Sequence, residues 1–341
     1  MATIELTDRN PATRVGPATR ALTRAAMAAQ RAPSIFNTQP WRWRIHDELA
    51  ELRADRERQL AAVDSEGRML TVSCGAALHH ARVALAGAGH VPVVSHRPDP
   101  DDPDLLAVVR IAGDVSGPPA AVRLLQAIAL RHTDRRPFAD RPVPDAALDR
   151  LRAAAEEYGA HLHLVPPDSV ALLAVAAGHA AEVEFADPAY RAELDAWTRG
   201  AAVSTGTGVP VDTAGPVGPR QVPVRDFAPD AVGRPAVSGL ADRYARYAIL
   251  FADADTPAAW LAAGEALSAV LLTATIDRLA ASPMSDVVEV PATRQLLCDL
   301  IGRTGQPILG LRLGIPAGAT PAAGTPRHAG ADLAATTDLE S

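Results

Sequence analysis

The order of elements along the chain constrains its fold more than any single residue does. Two long stretches rich in small residues, 75–85 and 264–279, each lie among segments that read as strands. No short repeat can be measured; what recurs is the order, with strands flanking one long small-residue helix. Such recurrence suggests duplication, two similar halves in one polypeptide, and the small side chains imply that the long helices pack closely. With 341 residues, 48% of them hydrophobic and only 4% aromatic, the chain can bury a sizeable core built mostly of Ala, Leu and Val. One large domain or two fused ones fit that length.

Periodicity fills in the order. After an unstructured lead of residues 1–16, an Ala-rich amphipathic helix is expected from about 17 to 31, stopping before Pro33. Residues 41–46 alternate as a strand, and 60–63 as a second short one. A long apolar helix opens at Ser73 and is closed by Gly87 and Gly89, and strands at 91–94 and 105–111 complete the first half. Helices are expected over 119–130, from Pro144 onward with Leu148 and Leu151 inward, and over 169–185 and 188–199; a strand is expected at 161–165. From about 200 to 239 Gly, Pro, Ser and Thr dominate and periodicity is lost. A loop of that length is either disordered or a lid over a ligand site, and Phe227 with residues 222–224 offers an apolar patch for docking. Strands at 247–252 and 308–313 and helices over 256–279 and 291–303 follow, before a Pro- and Gly-rich tail from Gly314.

Charge excludes several classes. A formal net charge of -7 and a pI near 5.8 disfavour a nucleic-acid backbone or an anionic membrane as partner, since both call for a broad basic face. All 33 basic residues are arginine, so a Schiff-base lysine, a P-loop lysine and a lysine general base are excluded together. Cys74 and Cys298 make no disulfide framework and sit in no metal-ligand pattern, so a reducing compartment is expected. Residues 1–10 carry no apolar leader and no stretch approaches the length of a membrane span, which together read as cytoplasmic.

Within this acidic chain, Arg131-His132-Thr133-Asp134-Arg135-Arg136-Pro137-Phe138 concentrates cationic side chains. In an extended segment Arg131, Thr133 and Arg135 turn to one side, where guanidinium forks and a hydroxyl suit a phosphate monoester. The competing reading is a solvated basic stretch between two helices. About a hundred residues upstream stands Pro33-Ser34-Ile35-Phe36-Asn37-Thr38-Gln39-Pro40-Trp41. Its prolines force an ordered, non-helical loop in which Ser34, Asn37 and Gln39 present hydrogen-bonding groups while Phe36 and Trp41 anchor it.

These two motifs together resemble the FMN-dependent nitroreductase superfamily, and in layout its Acg-like branch, where two nitroreductase-like halves are fused. The resemblance implies an α+β fold in which each half carries a mixed or antiparallel sheet flanked by helices. It implies halves at 1–129 and 130–341, the second with a lid-like insertion at about 200–239. It implies FMN as cofactor: Arg131 and Thr133 at the phosphate with Arg327 of the tail completing that site, His132 as a further cofactor-binding residue found in some members, and Arg135 near N1 and O2 of the ring as the catalytic cation. Pro33, Ser34, Ile35 and Asn37 match the loop that reaches onto the flavin from the other subunit of a homodimer. Pro283, Met284 and Ser285 fall where the family places a backbone amide beside N5. Each half lacks the other's motif, so one site and one FMN per chain follow, in a monomer that is its own pseudo-dimer. The function implied is NAD(P)H oxidation with two-electron reduction of a small-molecule nitro or quinone acceptor by a ping-pong route. The alternative is a storage protein that sequesters FMN beneath the lid.

Other chemistries are weaker. Gly87-Ala88-Gly89 and Gly206-Thr207-Gly208 begin dinucleotide-like patterns, but proline follows and no strand-turn-helix unit surrounds them. His161 and His163 share a strand face without a third ligand, and the adjacent His79 and His80 diverge on a helix, so no metal site is expected. Cys74 at a helix start reads as a packed structural thiol rather than a nucleophile. The chain has no Gly-x-Ser-x-Gly elbow.

Overall fold

The computed structural model describes residues 16–46, 48–213, 215–216, 218–230, 236, 241–318, 324–327 and 333–335. The expected lead therefore lies, except for Gly16, outside the described residues. In chain order the elements are α1 (Pro17–Ala29), β1 (Trp41–His46), β2 (Leu49–Ala54), α2 (Arg68–Gly87), β3 (His90–His96), β4 (Leu105–Asp114), α3 (Pro119–Leu130), α4 (Asp145–Glu156), β5 (His161–Leu164), α5 (Val170–Ala186), α6 (Pro188–Thr198), α7 (Ala201–Ser204), β6 (Arg246–Ala252), α8 (Pro257–Ile276), β7 (Ala280–Met284), α9 (Asp286–Glu289), α10 (Pro291–Leu300), β8 (Gln306–Gly314) and β9 (Leu333–Ala335).

They form an α+β fold with two sheets. The first runs β3-β4-β2-β1-β9 and the second β5-β6-β8-β7. Neighbouring strands are antiparallel except β9, which pairs in parallel with β1 through Trp43↔Leu333. The first sheet thus takes one strand from the far end of the chain. On β1 Trp41, Trp43 and Ile45 point inward while Arg42 and Arg44 point out, the period of two that a half-covered sheet requires.

Helices α2 and α8 lie at the centre, and their crossing shows why small residues fill them. A Cβ on Gly264 would come within 2.1 Å of the Val72 carbonyl and 2.8 Å of the Gly75 Cα, and one on Gly75 within 2.1 Å of the Leu261 carbonyl. The two helices touch backbone to backbone. Their remaining faces are covered by separate clusters, with Leu70, Leu78 and Leu85 packed toward the first sheet and Leu267, Val270 and Leu271 toward the second.

Several expectations need correction. The strand expected at 60–63 is instead Leu49–Ala54; its inward residues include small Ala50 and Ala54, and outward Glu51 and Arg53 disguise it as loop. Helix α2 opens at Arg68, not Ser73, because Asp64 caps it from outside, accepting from the Met69 amide at 3.0 Å and the Leu70 amide at 2.7 Å. Residues 280–284 form the strand β7 that periodicity did not suggest; as a sheet edge it tolerates Pro283. Two helical stretches, Pro167–Ala186 and Pro257–Ile276, are long and apolar enough to cross a membrane by length and composition. In the second, 67% of the apolar window is buried inside the fold, because a helix covered on all sides need not keep a polar face.

Candidate functional site

The loop from Pro33 to Pro40 is held in a conformation that side chains rarely adopt. Phe36, Asn37 and Gln39 take φ values of 44°, 55° and 50°, in the left-handed region that costs a bulky residue of the order of 1 kcal/mol. Surrounding bonds hold it there. The Ser34 hydroxyl accepts from the Gln39 amide at 3.0 Å, and the Ser73 hydroxyl of α2 accepts from the Ile35 amide at 3.1 Å. The Asn37 side chain joins three separate segments: its Nδ2 donates to the carbonyls of Gly208 at 2.9 Å and Pro326 at 3.0 Å, and its Oδ1 accepts from Arg327 Nη1 at 2.9 Å. Gln39 Nε2 donates to the Gly206 carbonyl at 2.9 Å.

The basic stretch follows α3 and is braced from behind. Buried Arg312 of β8 pairs with Asp242, lies 4.0 Å over the Phe138 ring, and donates to the carbonyls of Asp134 at 2.8 Å and Arg136 at 3.1 Å. The Asp134 amide donates to Ala281 of β7 at 3.0 Å, and its carboxylate pairs with Arg136 at 2.7 Å. Asp134 and Arg136 thereby satisfy each other, which leaves Arg131, Thr133 and Arg135 facing a cavity.

That cavity is walled by segments far apart in the sequence. Pro33, Ser34, Ile35, Phe36 and Asn37 come from the loop and Ser73 from α2; Arg131, Thr133 and Arg135 come from the basic stretch. Pro283, Met284, Ser285 and Asp286 close the β7 end, Arg327 enters from the tail, and Val224, Arg225 and Phe227 come from the 200–239 segment. Of the residues expected to contact the flavin, all line it except His132, whose Nδ1 bonds back to the Leu130 carbonyl at 3.0 Å; Gln39 and Trp41 of the loop do not. Successive side chains of an extended segment diverge, so a residue between Arg131 and Thr133 faces the other way.

Three cavity arginines stand without a carboxylate among the described residues. Arg131 reaches only the Arg31 carbonyl, at 3.4 Å, and Arg135 the Thr213 carbonyl, at 3.4 Å, while Arg327 binds Asn37, Thr325 and backbone oxygens. Burial, with Arg327 close by, pulls Arg131 down to about 9; burial, with Arg225 and Arg312 close by, pulls Arg135 down to about 10; burial also lowers Arg327 to about 10. The Nε atoms of Arg131 and Arg327 are buried with no hydrogen-bond partner. Buried guanidinium groups left this way call for an anion.

Sequence reasoning missed Arg225 and Asp286. Arg225 pairs with Glu184 at 2.8 Å and with Glu289, and its guanidinium lies 4.8 Å from the Phe36 ring centre. Phe227 meets Phe36 edge to face at 5.3 Å and lies under Arg135 at 4.8 Å. The segment's composition pointed to Phe227, but nothing around Arg225 marked its carboxylate partners, which lie on α5 and α9. Part of the segment, residues 214, 217, 231–235 and 237–240, lies outside the described residues.

No protein-family model matches the chain. Two proteins of Mycobacterium tuberculosis strain H37Rv are similar to it over most of their length. One, provisionally named NAD(P)H nitroreductase Rv3131, is 37% identical over 303 residues, 88% of this chain and 87% of the relative. The other, provisionally named NAD(P)H nitroreductase acg, is 34% identical over 308 residues, 89% of this chain and 92% of the relative. Among solved structures, an FMN-bound nitroreductase from Bacteroides fragilis overlaps 61% of this chain and 96% of its own at 14% identity and a TM-score of 0.36.

Proposed function

We propose a function from one premise: the chain belongs to the nitroreductase family, in its Acg-like branch. It binds one FMN per chain and works as an NAD(P)H-dependent oxidoreductase that delivers two electrons to a small nitro or quinone acceptor by a ping-pong route. The observation that carries the reading is the set of buried arginines, paired with no carboxylate among the described residues, in a cavity that neither half could form alone. FMN fits on that observation, because its phosphate supplies the acceptors that the Arg131 and Arg327 guanidinium groups lack.

When bound, the flavin supplies reversible two-electron chemistry; the chain supplies position and field. Arg131, Thr133 and Arg327 would hold the phosphate. Arg135 would face the N1 and O2 edge of the ring, where a fixed cation favours negative charge. Ser34, Ile35 and Asn37 would shape the ring's pocket with Pro33, and the backbone of Pro283, Met284 and Ser285 would border it on the N5 side. Because the interface between halves is internal, built on the crossing of α2 and α8, the working unit is a monomer. Its setting is the cytoplasm.

The direct test is steady-state oxidation of NADPH by the purified flavoprotein with a nitroaromatic acceptor. Turnover supports the oxidoreductase. A second reading, an FMN store with little turnover, draws on the packing of Phe227 against Phe36 and of Arg225 above it, which brings Val224, Arg225 and Phe227 of the 200–239 segment to the cavity wall. Replacing that segment with a brief Gly-Ser linker separates the two. If the segment limits access, flavin reduction by NADPH speeds up in the shortened chain; unchanged kinetics in a folded, flavin-loaded variant remove the lid.

A further inference from the structure

Asp286 is a carboxyl at the wall of the cavity, 3% exposed, at the start of α9 directly after Ser285. Beside it stand Arg225 and Glu289 of the same helix; Arg225 pairs with Glu289 and, at 2.8 Å, with Glu184 of α5, and its guanidinium lies 5.8 Å from the ring centre of Tyr190 on α6. The side chains of Glu184 and Glu289 are 7% and 5% exposed, and Glu289 Oε1 is buried without a hydrogen-bond partner. Two buried carboxyls therefore share one guanidinium, and the third, Asp286, lies close by without pairing to it among the described residues. In a medium of low dielectric such a group cannot be fully ionised, because each further negative charge is neither hydrated nor paired. Asp286 is pushed up to about 6, by burial first and by Glu289 second against the opposing pull of Arg225, and Glu184 is pushed up to about 8 by burial.

The proposed reaction needs such a proton, and the inference rests on that reading. NAD(P)H gives up two electrons and one proton as hydride and becomes NAD(P)+. A nitro group that receives two electrons breaks one N–O bond, takes two protons, and leaves as a nitroso group and water; a quinone takes two protons and becomes a hydroquinone. One proton is missing from what the nicotinamide supplies. We propose that Asp286 donates this second proton to the acceptor, and that its burial beside the charge of Glu289, on the same short helix, keeps it loaded. Water returns the proton once the product leaves. A general acid in this position contributes about 100-fold or more to the step it serves, and an acid of this kind works best when its pKa is near ambient pH.

The test separates the two half-reactions in the FMN-loaded protein. In Asp286→Asn the acceptor-reducing step is expected to slow about 100-fold while reduction by NADPH keeps its rate. In the unsubstituted chain the acceptor step falls as pH rises through about 6, and this dependence disappears in the variant. Glu289→Gln removes a neighbouring negative charge, so the same fall moves to lower pH; this variant decides the matter if Asp286→Asn does not fold. In the ligand-free protein the infrared carbonyl band of protonated carboxyls titrating near pH 6 is expected to lose the Asp286 share of its intensity in Asp286→Asn and to keep that of Asp64, which burial also pushes up to about 6. A normal acceptor step in Asp286→Asn, an unshifted profile in Glu289→Gln, or a band of unchanged intensity in Asp286→Asn overturns the proposal. Failure to bind flavin or to be reduced by NADPH overturns the functional reading instead, and the infrared band still reports on the carboxyl.

Discussion

Replacing Arg131 by methionine should change stability in opposite directions with and without ligand. The side chain is 9% exposed, it touches no carboxylate among the described residues, and burial beside Arg327 holds it down to about 9. At about 1.4 kcal/mol per tenfold change in proton affinity, the charged form is disfavoured in the ligand-free chain by about 5 kcal/mol at most, since buried sites relax. An apolar side chain of similar length removes that burden, so ligand-free Arg131→Met should be more stable by about 1–3 kcal/mol. The same change deletes a charge-assisted contact to phosphate of about 1.5–3 kcal/mol, weakening FMN roughly 10- to 150-fold. Because a ligand that binds only the folded chain stabilises it in proportion to the logarithm of its saturation, the gain in urea midpoint on adding FMN should shrink in the variant. Arg152→Ala is the control, since Arg152 is exposed on α4 and pairs only with Asp149 at 2.7 Å. An Arg131→Met protein that is less stable without ligand and binds FMN as tightly as its parent would refute the reasoning.

Two further predictions probe the frame around the site. Gly264→Ala should destabilise the fold by about 1–3 kcal/mol through overpacking at the α2–α8 crossing, more than the roughly 1 kcal/mol that alanine gains in a helix. Gly178→Ala on α5 meets nothing within 4 Å and should stabilise it by about 0.5–1 kcal/mol; equal urea midpoints for the two variants would count against the crossing. His79 and His80 are buried and held neutral, His79 down to about 3, with Ser268 Oγ between them at 2.7 and 2.9 Å. Their folded pKa values lie below the unfolded one, so their stability is present above about pH 6.5 and is lost as pH falls below it, by up to about 1.4 kcal/mol per pH unit for each ring. A double His79→Gln and His80→Gln variant should lose that slope in unfolding measured from pH 7 to pH 4, and an unchanged slope would contradict the assignment.

The site was more legible in the sequence than the strands that carry it. Arg131, Thr133 and Arg135 stand in a compact local pattern, and Pro33 and Pro40 announce an ordered loop, because these residue types restrict backbone or carry charge that few environments tolerate. Strand β2 was missed because alanines line part of its inner face, and β7 because a proline on a sheet edge looks like a loop. The start of α2 was misplaced because its cap is Asp64, several residues upstream, whose role depends on tertiary position. Arg225 and Asp286 were hidden for a related reason. Their meaning lies in partners on α5, α6 and α9, and only the folded chain brings those together.

The central claim is that two halves supply complementary parts of one flavin site. It is tested most directly by releasing the cofactor from the purified protein, identifying it by chromatography and counting it against the chain. The account predicts FMN, about one per chain; two flavins per chain, or FAD in place of FMN, would contradict it.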